Sequence, residues 1–308
     1  MDVGRSQRLL KETIIGLNLV FVRFDAFLNN YVELIFIGLF LLIFAKFSSI
    51  LFPWSIDLLI LLNILAIGTH FVYSIVYIVN DYIDFKEVQK LRESKDLFSF
   101  YEFRPIVYFN RTNTILIYLI GFYLLITSLL IALISCMIVV YPPVLVVTAL
   151  VHSKTGKYRY ITFAILRALK YLMFLSILFL YLPSIRSAQV ITASLILVIP
   201  FLAIHMNTYM RSKVTNKCFL NLNINIKSII FYVIIGLILI ALLLTSDIAI
   251  PLIKSIIFVS PFYFIRELLR FKLGPENPNF YMHLKRLLAF FISTVIILIA
   301  LFVLLLWI

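Results

Sequence analysis

Long apolar stretches, separated by short polar ones, dominate the chain from about residue 31 onward. A helix needs about 20 apolar residues to cross a bilayer. The stretches that meet this length predict nine spans, at about 31–49, 54–79, 112–131, 133–151, 160–183, 188–207, 228–246, 248–268 and 286–307. Because the stretch 112–151 is too long for one crossing, the pattern predicts a tight turn near 131–135.

The segment before the first span has a different pattern. Residues 1–30 carry Arg5, Arg8, Lys11 and Arg23 among apolar positions, without a short apolar core and a small-residue cleavage site. This pattern is typical of an amphipathic helix on the membrane surface rather than of a signal peptide. We therefore divide the chain into an interfacial segment, 1–30, and a nine-helix transmembrane domain, 31–308.

Composition supports the same class. Apolar residues make up 63% of the chain and the mean hydropathy is +1.10, above the range of soluble domains. The net charge of +13 would suggest nucleic-acid binding in a soluble protein, but here the basic residues are spread over several loops. The sequence predicts an all-α, polytopic membrane protein that binds no nucleic acid.

Lys and Arg alternate between loops in a way that predicts orientation. The loops after spans two, four, six and eight are basic: Lys86, Lys90, Arg92, Lys95, Arg104, Arg111; Lys154, Lys157, Arg159; Arg211, Lys213, Lys217, Lys227; Arg270, Lys272, Lys285, Arg286. The intervening loops contain only Lys46 and Arg186. The positive-inside rule therefore predicts a multi-pass protein of the cell membrane with a cytoplasmic N-terminus and an external C-terminus.

Carboxylates are scarce but concentrated at the end of the second span. Of fourteen in the chain, six lie in one 22-residue window: Asp81, Asp84, Glu87, Glu93, Asp96 and Glu102. At spacings of four and three residues, Asp81 and Asp84 continue one helical face that carries His70, Ser74 and Tyr77.

Asn80 lies beside Asp84, so the helix end offers an amide and two carboxylates, which are ligands that suit Mg²⁺. We predict that Asn80, Asp81 and Asp84 bind Mg²⁺, which would neutralise a diphosphate. An ordinary solvated helix end is the alternative. For His70, a buried neutral side chain hydrogen-bonded to a neighbouring helix is the favoured interpretation.

The motif Asn80-Asp81-Tyr82-Ile83-Asp84, together with nine spans, resembles the UbiA-type intramembrane prenyltransferases. Phe103-Arg104-Pro105-Ile106 looks like the Arg-Pro element that follows the motif in that family, and Tyr141-Pro142-Pro143 looks like its Tyr-containing turn. The resemblance implies a helical bundle with a central cavity open to the cytoplasm. It also implies Mg²⁺-dependent transfer of an isoprenyl group from an isoprenyl diphosphate to a lipid or aromatic acceptor. Asp81, Asp84 and Arg104 would act in catalysis.

Two departures from the family are evident. The last aspartate of the first motif would fall at Val88, and the second acidic motif, expected after span six, is absent. Asn207, Arg211 and Lys213 occupy that place, where the cations would either bind diphosphate oxygens directly or serve only as positive-inside charges. A basic sequence here resembles the branch that transfers phosphoribose from phosphoribosyl diphosphate to a polyprenyl phosphate.

Two further cations, Arg167 and Lys170, lie one turn apart inside span five, and Tyr171 would share their face. They either extend to the cytoplasmic surface or face a phosphate in the central cavity. A degenerate non-catalytic family member is a competing function. A transporter is disfavoured because intramembrane charge is expected almost only at the cytoplasmic helix ends.

Overall fold

The helices of the structure follow the predicted apolar stretches. The computed structural model describes residues 23–50, 55–83, 139–154, 159–199 and 248–273, with positions 12, 16 and 202 and scattered positions between 289 and 303. The helices are α1 (Phe24–Phe47), α2 (Ile56–Ile83), α3 (Tyr141–Lys154), α4 (Arg159–Tyr181), α5 (Ala188–Ile199) and α6 (Ala249–Leu273). A short 3₁₀ turn, Pro183–Ile185, follows α4. Every regular element within these ranges is a helix, which confirms the all-α prediction for this part of the chain.

Among the described residues, three helices are long and apolar enough to cross a membrane: Ala26–Phe47 in α1, Ile56–Asn80 in α2 and Ile161–Tyr181 in α4. They agree with the predicted spans one, two and five and indicate a membrane protein. Helix α5 falls within predicted span six, and helices α3 and α6 overlap predicted spans four and eight but end three and five residues beyond them. The spans predicted at 112–131 and 228–246, and most of the one at 286–307, lie outside the described residues.

Helix α1 begins earlier than predicted. It starts at Phe24, so the predicted boundary between residues 30 and 31 falls inside a helix. In the most apolar part of the α1 span 89% of the residues are buried, compared with 44% in α4. Residues 26–30 therefore continue the helix of the first candidate span, Ala26–Phe47.

Helix α2 is central to the packing. It contacts α1, α3 and α4, while α1 also contacts α4 and α6, and α3 packs on α4. A glycine lets α1 approach its neighbours closely: a Cβ atom on Gly38 would lie 2.8 Å from Leu62 Cδ2 and 3.2 Å from Phe174 Cζ. Small residues at such crossings are typical of membrane helices.

The outward faces of these helices are apolar. On α2, Ile56, Ile60 and Ile64 recur every four residues and are exposed, and α4 exposes Ile161 and Ile165 in the same way. Water would disfavour apolar stripes of this length, whereas lipid would not. The exposed isoleucines thus agree with the assignment of α2 and α4 as candidate membrane spans.

Helix α3 begins at the sequence that resembles the family's Tyr-containing turn. Tyr141 is its first residue, and Pro142 and Pro143 occupy the first turn, where a missing N–H breaks no helical hydrogen bond. The Tyr141 hydroxyl lies 2.9 Å from Ser176 Oγ of α4. Farther along, His152 Nδ1 lies 2.8 Å from Thr162 Oγ1 of α4. These two contacts join α3 to α4 near both ends of α3.

Candidate functional site

Helices α1, α2 and α4 bring eight polar side chains together inside the packed core. We call this group the polar cluster: Asn30 and Glu33 of α1; His70, Ser74 and Tyr77 of α2; Arg167, Lys170 and Tyr171 of α4. Seven of the eight are buried, and Arg167 is partly buried. Polar side chains within membrane spans are costly unless they are paired, so the cluster is the leading candidate for a functional site.

An ion pair lies in the middle of the cluster. Lys170 Nζ is 2.7 Å from Glu33 Oε2, and the two side chains are 0% and 4% exposed. The Tyr171 hydroxyl donates a second hydrogen bond, 3.1 Å long, to the same carboxylate oxygen. Glu33 and Lys170 lie seven and nine residues inside their candidate spans, or about 10 and 14 Å along the helix axes.

This pair corrects one expectation from the sequence. Intramembrane charge is not confined to the helix ends, since Glu33 and Lys170 sit about a third to a half of the way across a bilayer core of about 30 Å. Lys170 does not extend to the membrane surface, because it is fully buried and held by two acceptors.

Asn30 connects the three helices. Its Oδ1 accepts hydrogen bonds from Arg167 Nη1 and Lys170 Nζ, both at 3.0 Å. Its Nδ2 donates to the Tyr77 hydroxyl at 3.1 Å and lies 3.2 Å from His70 Nδ1. A side-chain amide can make four hydrogen bonds, and all four are used here. The two cations require an acceptor, so the orientation of the amide is fixed.

The orientation of Asn30 also fixes the tautomer of His70. Because Nδ2 can only donate, His70 Nδ1 must accept, and the ring proton is then on Nε2. Nε2 lies 3.1 Å from Ser74 Oγ, and the Ser74 hydroxyl donates to the His70 carbonyl at 2.8 Å. His70 is therefore buried and hydrogen-bonded to a neighbouring helix, as the sequence analysis favoured.

Arg167 has unused hydrogen-bonding capacity. Only Nη1 of its three nitrogens has a hydrogen bond within the described part of the chain, and Nε is buried without a partner. The guanidinium carbon lies 5.2 Å from the centre of the Phe163 ring and 6.0 Å from that of Tyr73. Among the eight described residues of the polar cluster, Lys170 and Arg167 are cationic and Glu33 is anionic, so the cluster carries a net positive charge.

The predicted metal site begins one turn beyond the cluster. Asn80 is half-buried in α2, and its Oδ1 accepts a hydrogen bond of 3.3 Å from Ser153 Oγ of α3. The backbone of Asp81 continues α2. The Asp81 side chain lies outside the described residues, as do five other predicted site residues: Asp84, Arg104, Asn207, Arg211 and Lys213.

The metal prediction thus stays a prediction. Where side chains are described, no three His, Cys, Asp or Glu residues lie close enough together to hold a metal ion. The predicted ligand set of Asn80, Asp81 and Asp84 contains only oxygen donors, and Asn80 Oδ1 already acts as an acceptor. This donor chemistry fits Mg²⁺.

The sequence analysis missed Asn30 and Glu33. The sequence feature that could have identified them is their three-residue spacing, which places both on one face of an otherwise apolar helix. Glu33 lies seven residues inside the span Ala26–Phe47. The predicted helix start at residue 31 obscured it, since it placed Asn30 in the surface segment and Glu33 at the membrane boundary.

No family model, no curated protein and no solved structure matches the chain.

Proposed function

We propose that the protein is a Mg²⁺-dependent intramembrane transferase of the UbiA type, which moves an isoprenyl group from an isoprenyl diphosphate to a lipid or aromatic acceptor. In this proposal nine helices form a bundle, and a central cavity opens on the cytoplasmic side at the end of α2. The reacting diphosphate lies there, and the acceptor reaches it from the bilayer.

One observation carries the proposal: a net positive, buried polar cluster reaches within one turn of the acidic end of α2. Tyr77 belongs to the cluster through its hydrogen bond to Asn30, and Asp81 follows it by four residues on the same face. Asn30 in turn holds Arg167. Cations next to carboxylates are the arrangement that a metal–diphosphate complex requires, because the carboxylates hold the metal and the cations hold the phosphate oxygens.

Each predicted residue has a role in this chemistry. Asp81 and Asp84, assisted by Asn80, would hold Mg²⁺, which when bound neutralises charge on the diphosphate leaving group. Arg104 and Arg167 would add positive potential where negative charge develops. Buried aromatic side chains near the cluster, such as Tyr73, would keep water from the reacting carbon.

The same residues would serve phosphoribosyl transfer from phosphoribosyl diphosphate to a polyprenyl phosphate, and the basic residues Arg211 and Lys213 favour that donor. Both reactions need a diphosphate donor and Mg²⁺ at the end of α2. The transfer assay with each labelled donor, described below, distinguishes the two reactions.

A transporter is a second candidate, favoured by the buried Glu33–Lys170 pair. Intramembrane ion pairs occur on the ion and proton pathways of transporters. The pair here is also held by Tyr171 and Asn30, an arrangement suited to a static connection between helices. The transferase therefore remains the first proposal.

The test uses the purified full-length protein with Mg²⁺, total native lipid, and either labelled geranylgeranyl diphosphate or labelled phosphoribosyl diphosphate. Label should enter the lipid fraction from one donor, and Asp81→Ala should abolish this transfer without unfolding the protein. Asp57→Ala is the matched control, because Asp57 is exposed at the opposite end of α2. Wild-type transfer by Asp81→Ala would refute the site, and absence of transfer from both donors would favour the transporter or a non-catalytic role.

A further inference from the structure

The two cations of the polar cluster differ in what they can still bind. Lys170 is fully buried, and its ammonium group is held by Glu33 Oε2 and Asn30 Oδ1. Its charge is matched by the carboxylate that it contacts. Lys170 therefore connects α4 to α1 and positions Asn30.

Arg167 has no such carboxylate. Its Nη1 donates to the neutral Asn30 amide, and no hydrogen bond is described for Nε or Nη2. The edge formed by Nε and Nη2 is the one that binds phosphate and carboxylate oxygens side on, through two parallel hydrogen bonds. A buried, charged donor without a partner is costly, and such a group calls for an explanation.

Arg167 lies toward the end of the bundle that carries the predicted metal site. Arg167 lies six residues, or about 9 Å, inside the span Ile161–Tyr181. Side chains on a helix lean toward its N-terminus. The guanidinium contacts Asn30, only four residues inside the span of α1. It therefore lies nearer the membrane surface than the Glu33–Lys170 pair.

We infer that Arg167, and not Lys170, is the anion receptor of the polar cluster, and that its ligand is the phosphate group of an isoprenoid lipid. The Nε–Nη2 edge binds two phosphate oxygens, the Tyr73 and Phe163 rings hold the guanidinium plane, and Asn30 fixes its orientation. The lipid chain lies among the apolar side chains of the bundle. The inference rests on the proposed function for the identity of the lipid, but Arg167 binds the phosphate without metal.

The test measures binding without turnover. Purified full-length protein in detergent with EDTA is titrated with farnesyl phosphate, with farnesol as the uncharged control and inorganic phosphate as a competitor. Arg167→Met should weaken binding of farnesyl phosphate roughly 10- to 100-fold, the loss expected for a charge-assisted bidentate contact. Arg186→Met is the matched control, because Arg186 is exposed beyond the other end of α4 and donates to the Phe179 carbonyl. It should leave the affinity unchanged.

A second variant tests the inference if Arg167→Met does not fold. Asn30→Asp is isosteric and places a carboxylate against Arg167, while Tyr77 and His70 can both donate to it. The protein should keep its fold and lose affinity for farnesyl phosphate by at least about tenfold, because the introduced charge competes with the phosphate.

Three outcomes would overturn the inference: unchanged affinity in Arg167→Met or in Asn30→Asp, an equal loss in Arg186→Met, or equal affinity for farnesol. Strong competition by inorganic phosphate would identify free phosphate as the ligand of the same receptor, and weak competition identifies the lipid. The binding assay contains EDTA, which removes divalent cations, so it tests Arg167 independently of the metal site. Asp81→Ala should keep its affinity for farnesyl phosphate in this assay and lose Mg²⁺-dependent transfer. Failure of the binding prediction and failure of the transferase proposal are therefore distinguishable.

Discussion

Replacing Lys170 by methionine removes the charge from the centre of the polar cluster and keeps most of the apolar stem. The substitution breaks the 2.7 Å contact with Glu33 and the 3.0 Å hydrogen bond to Asn30. Glu33, 3% exposed, then keeps a buried negative charge without the cation that lies closest to it in the described residues. The structure predicts a large loss of stability, because the carboxylate has been removed from solvent and its cation is gone.

Lost hydrogen bonds and an unpaired buried charge would lower the stability of Lys170→Met by different amounts. Hydrogen bonds within membrane proteins contribute about 0.6 kcal/mol each on average, so the loss of two would cost roughly 1 kcal/mol. Removing one partner of a buried ion pair costs about 3–5 kcal/mol. We expect the free energy of unfolding of Lys170→Met to fall by about 3–5 kcal/mol, because the uncompensated charge outweighs the hydrogen bonds.

The assay is equilibrium unfolding of the purified protein in mixed micelles with increasing SDS. Lys254→Met is the matched control, since Lys254 is exposed on α6 and its described contact is with the Phe47 ring, 5.9 Å from Nζ. The control should lose no more than about 1 kcal/mol. The double variant Glu33→Gln/Lys170→Met should be more stable than Lys170→Met alone, because it removes both charges of the pair.

A loss of stability in Lys170→Met no larger than that in Lys254→Met would contradict this prediction. A double variant less stable than Lys170→Met would contradict it as well. Either result would mean that the ion pair does not connect α1 to α4 in the folded protein.

Three further substitutions test packing and topology. Gly38→Leu should destabilise the protein by about 1–3 kcal/mol in the same unfolding assay, because the new side chain overlaps α2 and α4. Gly16→Leu is the control and should leave the stability unchanged, because no atom lies within 4 Å of a Cβ placed there. Thr162→Val should lower the free energy of unfolding by about 1 kcal/mol, because it removes the hydrogen bond between α3 and α4. Thr148→Val breaks a hydrogen bond within α3 only and should lower it less. Equal losses in the two variants would contradict this prediction. Arg186→Cys, in a background without the native cysteines, should react in intact cells with a membrane-impermeant maleimide, and reaction only after permeabilisation would reverse the predicted topology.

Helical periodicity was sufficient to predict the polar face of α2. His70, Ser74 and Tyr77 were expected to share one face, and the structure confirms it: Ser74 contacts His70, and both His70 and Tyr77 contact Asn30. Spacing along one helix is a local property, so the sequence contains it directly.

Contacts between helices could not be predicted from spacing along a single helix. Arg167 and Lys170 were identified as candidates, but spacing on α4 does not tell which helix lies opposite. Glu33, the partner of Lys170, is 137 positions away in the chain and was not identified from the sequence. The choice of partner depends on how α1 and α4 pack, which in turn depends on close-approach residues such as Gly38.

Direct measurement of metal binding tests the central claim, that the C-terminal end of α2 binds a divalent cation which holds a diphosphate. Electron paramagnetic resonance can follow Mn²⁺, as a substitute for Mg²⁺, with purified protein and inorganic pyrophosphate. Wild type and Asp57→Ala should both bind Mn²⁺, and Asp81→Ala and Asp84→Ala should each lose that binding. Unchanged Mn²⁺ binding in the Asp81 and Asp84 variants, or none in wild type, would contradict the account.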